Sequence, residues 1–435
     1  MKKLLLISLI LIIMGAVGYI LYNRLYISEG IKINPNVELD PLESYHVSCW
    51  LYPLEAGLSG NDEIPGLKER LQEWQEIRVG EITIQIDYQL ADLDSGHYLV
   101  KDRIARNRPP DLYFNLLQEP FLEQVVPVDL YLKKDNYQDW ALLGSSWGKR
   151  IISWPVAGWP VGFFIGRESF QELGLPPFLQ EHGVITIEHL FSDEALDTGL
   201  ELLIPVEELF YIQVSSILHN FLLDAKLNPS EKEYFGRLAA DYSRYYSKKN
   251  SPGRSINSLL AEGRGIIGPV NPWLHHLLEE QMNNAGFQGY FVLLGGRGTR
   301  PESSEKMEVY CQVYGLNQFY QLPYPGDKHT KASAEAASFL AERLGGWLAE
   351  RLGMLEPGKA VTVENVRGDR IEDDQTDDGI TGKPQVLTGV SPYIAVHSIW
   401  REHLLPALKR YWEDELTAEE LEQVWEEAAA ELKGR

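Results

Sequence analysis

The chain is poor in cysteine and in positive charge. Only two cysteines, Cys49 and Cys311, occur among 435 residues, too few for a fold held together by many disulfides. The sequence leaves open whether they pair or are two separate buried thiols, which behave as small hydrophobic side chains. The formal net charge is −23. It argues against binding nucleic acid or an anionic membrane surface, since both select positive fields.

Patterns that hold metals or phosphates are also missing. Residues 275–280 place His and Glu four apart on a predicted helix, but without the HExxH or HxxEH order of zinc sites. Residues 369–378 are acid-rich and lack the alternating ligands of a calcium loop. Residues 295–300 are glycine-rich but form neither a P-loop nor a dinucleotide-binding motif. We predict no cofactor and no metal site.

One motif of a catalytic serine is present, at Ser146 within Gly144-Ser145-Ser146-Trp147-Gly148. The hydrolase turn with this pattern needs a strand before the serine and a helix after it. A strand-rich stretch broken by Trp154-Pro155 and Trp159-Pro160 follows instead, so we predict no catalytic residue and no enzyme. A secreted polysaccharide hydrolase or lyase remains an alternative, because a carboxylate pair could lie among 63 acidic residues.

The amino terminus carries one long apolar run, from Leu4 to Tyr22, preceded by Lys2 and Lys3. A run of roughly 20 residues can cross a bilayer as a helix, and the positive end is expected to stay in the cytoplasm. We therefore predict an anchor at residues 1–24, with the rest of the chain exported and residues 25–44 as a linker. A signal peptide cleaved after Gly18 is the alternative, because Ala16-Val17-Gly18 has small residues at the required spacing.

Hydrophobic periodicity after the linker indicates alternating strands and helices. Residues 82–90 alternate apolar and polar side chains, as expected of a strand with one buried face. Strands are also predicted at 46–52 and 111–116, and a long helix at 332–352. Such alternation is typical of an α/β fold with mostly parallel sheets and helices on their faces. About 400 residues are too many for one compact core, which favours two lobes.

The order of several segments resembles the extracellular solute-binding proteins of ABC importers, in particular the family that binds sugars and oligosaccharides. The motif Pro110-Asp111 in 107–114 resembles that family's strand motif with Pro-Asp. The motif Gly148-Lys149 in 148–155 resembles the segment that enters its second lobe. Further likenesses lie at 47–50, 260–273, 334–340 and 399–408.

The chain also departs from this family. It has no lipid-modified cysteine, and Ile165-Gly166 stands where the family has Tyr-Asn. Additional residues separate Gly268-Pro269 from Trp273. The resemblance therefore implies a divergent member, with the two-lobed periplasmic-binding-protein-like fold of type 2. It places the first lobe at 45–150 and 291–345, and the second at 151–290 and 346–435.

The family implies that a carbohydrate, a mono- or oligosaccharide, binds between the lobes on the outer face of the cell membrane and is delivered to an ABC permease. Aromatic faces would cover the apolar patches of a sugar, while polar groups bind its hydroxyls. Asn271 and Pro272 are suited to begin a helix, which places Trp273 in its first turn. A membrane-anchored sensor that presents its ligand to a receptor is an alternative. The candidate ligand-binding residues are Trp50, Tyr52, Asn115, Trp154, Trp159, Trp273, Tyr314, Tyr393 and Trp400.

Overall fold

A computed structural model gives the structure of most of the chain after the predicted anchor. It describes residues 32–51, 66–90, 96–115, 124–147, 150–166, 184–186, 202–203, 207, 210–211, 213–214, 229–249, 266–270, 289–295, 307–359, 361–362, 386–390, 400 and 404–434. None of the helices in these ranges is both long and apolar enough to cross a membrane. The predicted anchor at 1–24 lies outside the described residues.

The first third of the chain alternates strands and helices, as the sequence predicts. Strand β3 has the predicted bounds, because its alternating side chains need one buried and one exposed face. The elements are β1 (Tyr45–Leu51), α1 (Leu67–Glu73), β2 (Glu76–Val79), β3 (Ile82–Leu90), α2 (Gly96–Ala105) and β4 (Leu112–Asn115).

In the middle of the chain the described residues form short strands and two helices of very different length. Two 3-10 turns, Val128–Leu130 and Lys134–Asn136, precede these elements. They are α3 (Asp139–Gly144), β5 (Ser146–Trp147), β6 (Arg150–Ile151), β7 (Trp154–Pro160), β8 (Gly162–Gly166), β9 (Val184–Ile185), β10 (Leu202–Leu203), α4 (Pro229–Lys249), β11 (Ile266–Val270) and β12 (Gly289–Leu294).

The last third contains the longest strand and the longest helix of the described part. Gly353 follows that helix with φ +66, the left-handed conformation that commonly ends helices. The elements are β13 (Met307–Gln318), α5 (Asp327–Leu352), β14 (Val361–Thr362), β15 (Val386–Val390), α6 (Leu405–Trp412) and α7 (Ala418–Gly434).

The strands form two larger sheets. The first has the order β14-β15-β13-β4-β1-β3-β2, with β7 added beside β13, and the second has the order β10-β11-β8-β12-β9. In the first sheet β1 is parallel to β3 and β4, but β13 is antiparallel to β4 and β7. In the second sheet β8 is antiparallel to both neighbours. Both sheets are therefore mixed, and the prediction of mostly parallel sheets was wrong. Two strands joined by a helix within one sheet run parallel. A strand that enters from the other sheet can run in either direction.

Sheet membership also corrects the lobe to which some segments belong. The predicted second lobe includes residues 151–160 and 346–435, but β7, β14 and β15 pair within the first sheet. The segment that contains the two Trp-Pro pairs crosses between the sheets, because β7 leads directly into β8 of the second sheet. Strand β7 tolerates Pro155 and Pro160 because β13 is its one strand partner in the described part of the chain, with a register shift near Gly315.

The first sheet has helices on both faces. Alternate residues of β1, Cys49 and Leu51, lie in a large core that also contains residues of α5, while Trp50 lies in a smaller cluster with residues of α2. Cys49 and Cys311 are both buried and free, and burial raises the pKa of each thiol. The structure therefore has two separate buried thiols, one of the two alternatives left open by the sequence.

Helix α5 lies directly on β7, and one glycine permits this close contact. A Cβ at Gly345 would overlap the backbone carbonyl of Val156, whereas a Cβ at Gly346 would meet nothing within 4 Å. Both glycines are inside the same helix. The packing of α5 on β7 therefore requires glycine at position 345 but not at position 346.

We predict opposite effects of alanine at these two neighbouring positions. Gly345→Ala should lower the free energy of unfolding by about 1–3 kcal/mol, because the new methyl group overpacks the contact with β7. Gly346→Ala should raise it by up to about 1 kcal/mol through better helix propensity. Urea unfolding monitored by circular dichroism measures both. Equal effects of the two substitutions would contradict the close packing of α5 on β7.

Candidate functional site

The carboxyl ends of parallel strands meet at one edge of the first sheet. Strand β1 ends at Leu51 and β4 ends at Asn115, and the two strands are parallel. Asn115 pairs with Gly315 of β13, which pairs with Pro155 of β7. This edge is where open α/β sheets place ligands. The backbone of four candidate residues, Trp50, Asn115, Trp154 and Tyr314, therefore lies in neighbouring strands at or near this edge.

Trp50 contacts a positively charged side chain. Its side chain is 5% exposed and packs with Tyr113 and Phe319. The guanidinium of Arg103 in α2 lies 4.5 Å from the centre of its ring, a favourable cation–π contact. Arg103 was not among the predicted residues, because nothing in the spacing of α2 connects it with β1. The Trp50–Arg103 pair therefore places a buried aromatic ring and a cation beside the end of β1, one residue before its last residue.

Trp154 and Tyr314 lie in the large core of the first sheet. They are 2% and 5% exposed. The indole N–H of Trp154 donates to Oε1 of Gln318 at 3.4 Å, and the amide of Gln318 donates in turn to the backbone of Thr330. Both side chains therefore contribute to the packing of β7 and β13. A contact of either with a ligand stays a prediction.

Trp400 lies in an aromatic cluster of the carboxyl-terminal helices. It is 0% exposed, is stacked on Phe210 at 5.8 Å and meets Trp425 edge-on at 6.4 Å between ring centres. Trp412 of α6 belongs to the same cluster through its own edge contact with Phe210. The structure thus brings Trp400 together with helices α6 and α7, and its predicted role in the cleft stays untested.

The remaining candidates are placed only by their backbone or not at all. Trp159 of β7 pairs with Gln312 of β13, which places it in the strand that leads to the second sheet. Tyr52, Trp273 and Tyr393 lie outside the described residues, so their assignment to the site also stays a prediction.

Two crossings between the sheets lie side by side. The first is Val161, between β7 and β8, and the second is Gly295, which follows β12. The N–H of Val161 donates to Tyr310 of the first sheet at 2.7 Å, and its carbonyl accepts from Leu294 of the second at 2.8 Å. Gly295 forms a bridge with Val309. Among the described residues, Val161 therefore connects the two sheets through hydrogen bonds to Tyr310 and Leu294, directly beside the second crossing.

A buried carboxylate near the start of β4 joins three parts of the first sheet. Asp111 is 3% exposed. Its Oδ2 accepts from the N–H and the hydroxyl of Ser48 at 2.8 and 2.9 Å, and its Oδ1 lies 2.7 Å from Nε2 of His329 in α5. Asp111 belongs to the Pro-Asp motif, which supplied the family resemblance, but no sequence signal connects it with His329, 218 residues away.

The Asp111–His329 contact favours the protonated imidazole. The hydrogen bond with Asp111 raises the pKa of His329, against the opposing effect of burial. The histidine side chain is 27% exposed, so it can exchange protons with solvent. Protonation therefore strengthens the connection between α5 and strands β1 and β4.

The serine motif does not form a hydrolase turn. Helix α3 precedes Ser146, and strand β5 begins at Ser146 itself. This order is the reverse of the strand–turn–helix that the motif requires. The Ser146 hydroxyl donates to the carbonyl of Leu142, 2.5 Å away, at the end of α3. It therefore continues the hydrogen bonding of the last helical turn.

Comparison with known proteins gives a fold and no sequence match. No protein-family model and no curated protein matches the sequence. Among solved structures, an uncharacterised protein of Listeria monocytogenes has a TM-score of 0.55 at 13% identity, covering 89% of this chain and 99% of that one. The cyclic α-maltosyl-1,6-maltose binding protein of Arthrobacter globiformis has a TM-score of 0.54 at 13% identity, covering 90% and 100%. The maltose/maltodextrin-binding domain of Bdellovibrio bacteriovorus, bound to maltotriose, has 0.51 at 13% identity, covering 90% and 100%.

The chain has the periplasmic-binding-protein-like fold. The match covers nearly all of each neighbour, so the likeness concerns the whole architecture and not one lobe. This confirms the fold expected from the motifs. At this level of identity the likeness shows the fold alone.

We predict that the stability contributed by His329 depends on pH. Its pKa is about 6.5 in the unfolded chain and is raised in the folded protein. The contribution is therefore complete below pH ~6.5 and is lost as the pH rises through the folded pKa. His329→Gln should lower the free energy of unfolding by about 1–3 kcal/mol at pH 5.5, and by less at pH 9.

The matched control for this prediction is His46→Gln, which replaces an exposed histidine on β1. Its effect should be small at both pH values. Urea unfolding of the three proteins at pH 5.5 and pH 9 checks the prediction. A cost of His329→Gln that stays constant, or grows, toward pH 9 would contradict it.

Proposed function

We propose that the protein is an extracytoplasmic solute-binding protein, which captures a carbohydrate-like ligand between two lobes and delivers it to the permease of an ABC transporter. The observation that carries the proposal is the fold, shared over about nine-tenths of the chain with proteins named as maltose- or oligosaccharide-binding. The protein is a binding protein and not an enzyme in this proposal, and the reversed context of Ser146 agrees with it.

The connection between the sheets supports capture by closure. Only short crossings at Val161 and Gly295 join them in the described part of the chain, and these crossings are tied to each other through Leu294. Two units joined in this way can move as rigid bodies and enclose a ligand. Closure would bring the second lobe over the edge where β1 and β4 end.

The ligand is a mono- or oligosaccharide in this proposal. Its sugar rings would contact aromatic faces, and its hydroxyls would bind polar groups such as the side chain of Asn115. The proposed ligand-binding residues are the nine that the sequence predicted. Trp273 is the one that the experiment below tests. Residues 1–24 would anchor the protein to the outer face of the membrane, or be removed after export.

Saturating ligand should stabilise the folded protein. At a ligand concentration of 100 times Kd the gain is about 2.7 kcal/mol, which raises Tm by several degrees. We expect this rise for the full-length protein with maltotriose or a cyclic maltooligosaccharide. Thermal unfolding followed by circular dichroism, against amino acids and inorganic anions as other ligand classes, measures it.

Trp273→Ala tests the predicted site within the same experiment. Loss of an aromatic ligand contact should cost about 2 kcal/mol or more, which weakens binding roughly 30-fold. Trp74→Ala is the control, because Trp74 follows α1 and packs against the large core near β2, at the far edge of the first sheet. It should lower Tm without reducing the shift caused by the sugar.

A folded protein whose Tm responds to no sugar would contradict carbohydrate capture. It would favour the alternative of a membrane-anchored sensor for another ligand. Release of cleaved sugar from the incubated oligosaccharide would instead favour the enzyme alternative.

A further inference from the structure

Residues 33–44, which precede the first strand, pack against the first sheet, and we call them the strap. Leu39 contacts the large core of that sheet. The carbonyl of Asp40 accepts from the N–H of Glu43 at 3.0 Å, and Pro41 between them has the fixed backbone angle that such a turn needs. The strap therefore belongs to the packed structure of the first sheet.

Both ends of the strap are tied to the first turn of α5. The Nζ atom of Lys328 lies 2.9 Å from Oε1 of Glu43 and 3.6 Å from Oδ2 of Asp40. The N–H of Asn34 donates to Oδ1 of Asp327, the first residue of the helix, at 3.1 Å. The hydrogen bond between Lys328 and Glu43 raises the pKa of the lysine and lowers that of the glutamate. Opposite charges therefore hold the strap against α5.

A buried tyrosine connects the strap with β1. Tyr45 is the first residue of β1 and is 5% exposed. Its hydroxyl accepts from the N–H of Asp40 and donates to Oε2 of Glu43, both at 2.9 Å. Exposed ion pairs alone contribute little to stability. Here the two carboxylate residues that pair with Lys328 are also held by a buried side chain, which fixes the strap on the sheet.

The strap lies at the end of the first sheet opposite to the candidate ligand edge. Strand β1 begins there at Tyr45. Strand β13 ends there at Gln318, which pairs with Leu112 at the start of β4, and α5 follows β13. We call this end the base of the first sheet. The chain therefore enters the sheet at its base, about 20 Å from the candidate ligand edge, which is the length of β1.

We propose that the strap shortens the connection to the membrane and so holds the base of the first sheet close to the bilayer. This rests on the proposed function, in which residues 1–24 anchor the protein. With the strap docked, the chain from residue 24 to residue 33 spans at most about 30 Å, whereas a free chain up to Tyr45 could span about 70 Å. The shorter connection also raises the effective concentration of the protein at a permease in the same membrane.

Energy transfer from a fluorophore to acceptor lipids measures the distance of the base from the bilayer. Cys49 and Cys311 are buried, so a fluorophore attaches selectively to an added exposed cysteine. Glu81→Cys places it at the base, in the turn before β3, and Gln89→Cys places it near the ligand edge, roughly 25 Å away along β3. For the full-length protein in phosphatidylcholine vesicles, transfer should be roughly twofold more efficient from position 81 than from position 89.

Lys328→Glu combined with Leu39→Ser tests the strap itself. The charge reversal sets a carboxylate against the two carboxylates of the strap, and the second change removes its apolar contact with the core. Transfer from position 81 should fall by roughly half, and the amides of the strap should exchange hydrogen about tenfold faster. Lys359→Glu is the matched control, because it breaks another exposed ion pair, with Glu356 after α5, and should change neither.

Three results would overturn the proposal. They are failure of the vesicles to retain the full-length protein, equal transfer from positions 81 and 89, and unchanged transfer from position 81 in the double variant, shown to be folded by circular dichroism. No sugar is present in these measurements. A protein that binds no carbohydrate would therefore contradict the proposed function without contradicting the role of the strap.

Discussion

The backbone pairing of β13 is the constraint on which the rest of the structure depends. Its carboxyl-terminal half pairs with β4 and β7, and its amino-terminal half pairs with β15. Tyr310 in this strand accepts the hydrogen bond of the first crossing, and Val309 forms the bridge with the second. One strand of 12 residues therefore sets both the candidate ligand edge of the first sheet and the position from which the second sheet departs. A shift in the pairing register of β13 would therefore move the candidate ligand edge and the start of the second sheet together.

The edge of the first sheet is positioned by packing on both faces and by one buried carboxylate. Helix α5 reaches β7 closely because Gly345 has no side chain, and α2 covers Trp50 through Arg103. Asp111 then joins β1, β4 and α5 near the opposite end of β4. These contacts are needed by any ligand site at the edge, since a site built on rigid strands is held more precisely than one built on loops.

Sequence patterns predicted those elements whose periodicity is local. The alternation of residues 82–90 gave β3 its bounds, and the apolar face of residues 332–352 predicted most of α5. The strand at 46–52 differs from β1 by one residue at each end. The order of weak motifs predicted the fold, because motif order follows the order of elements and survives when individual residues change.

Long-range pairings could not be predicted in the same way. The direction of β13 relative to β4, and the membership of β7 in the first sheet, depend on partners that are more than 150 residues apart in the chain. Trp154 and Tyr314 were predicted from positions that match the family's motifs, and a period-two pattern does not tell which face of β7 or β13 is buried against a helix. Their contact with a ligand, like that of Trp400, stays a prediction. The contact of Asp111 with His329 had no local signal for the same reason.

The central claim is that two sheets joined by paired crossings close around a sugar. Small-angle X-ray scattering of the full-length protein, with and without saturating maltotriose, tests it most directly. The account predicts a smaller radius of gyration with the sugar and no change with an amino acid at the same concentration. An unchanged radius of gyration, at a sugar concentration where calorimetry shows the site to be occupied, would contradict closure about these crossings.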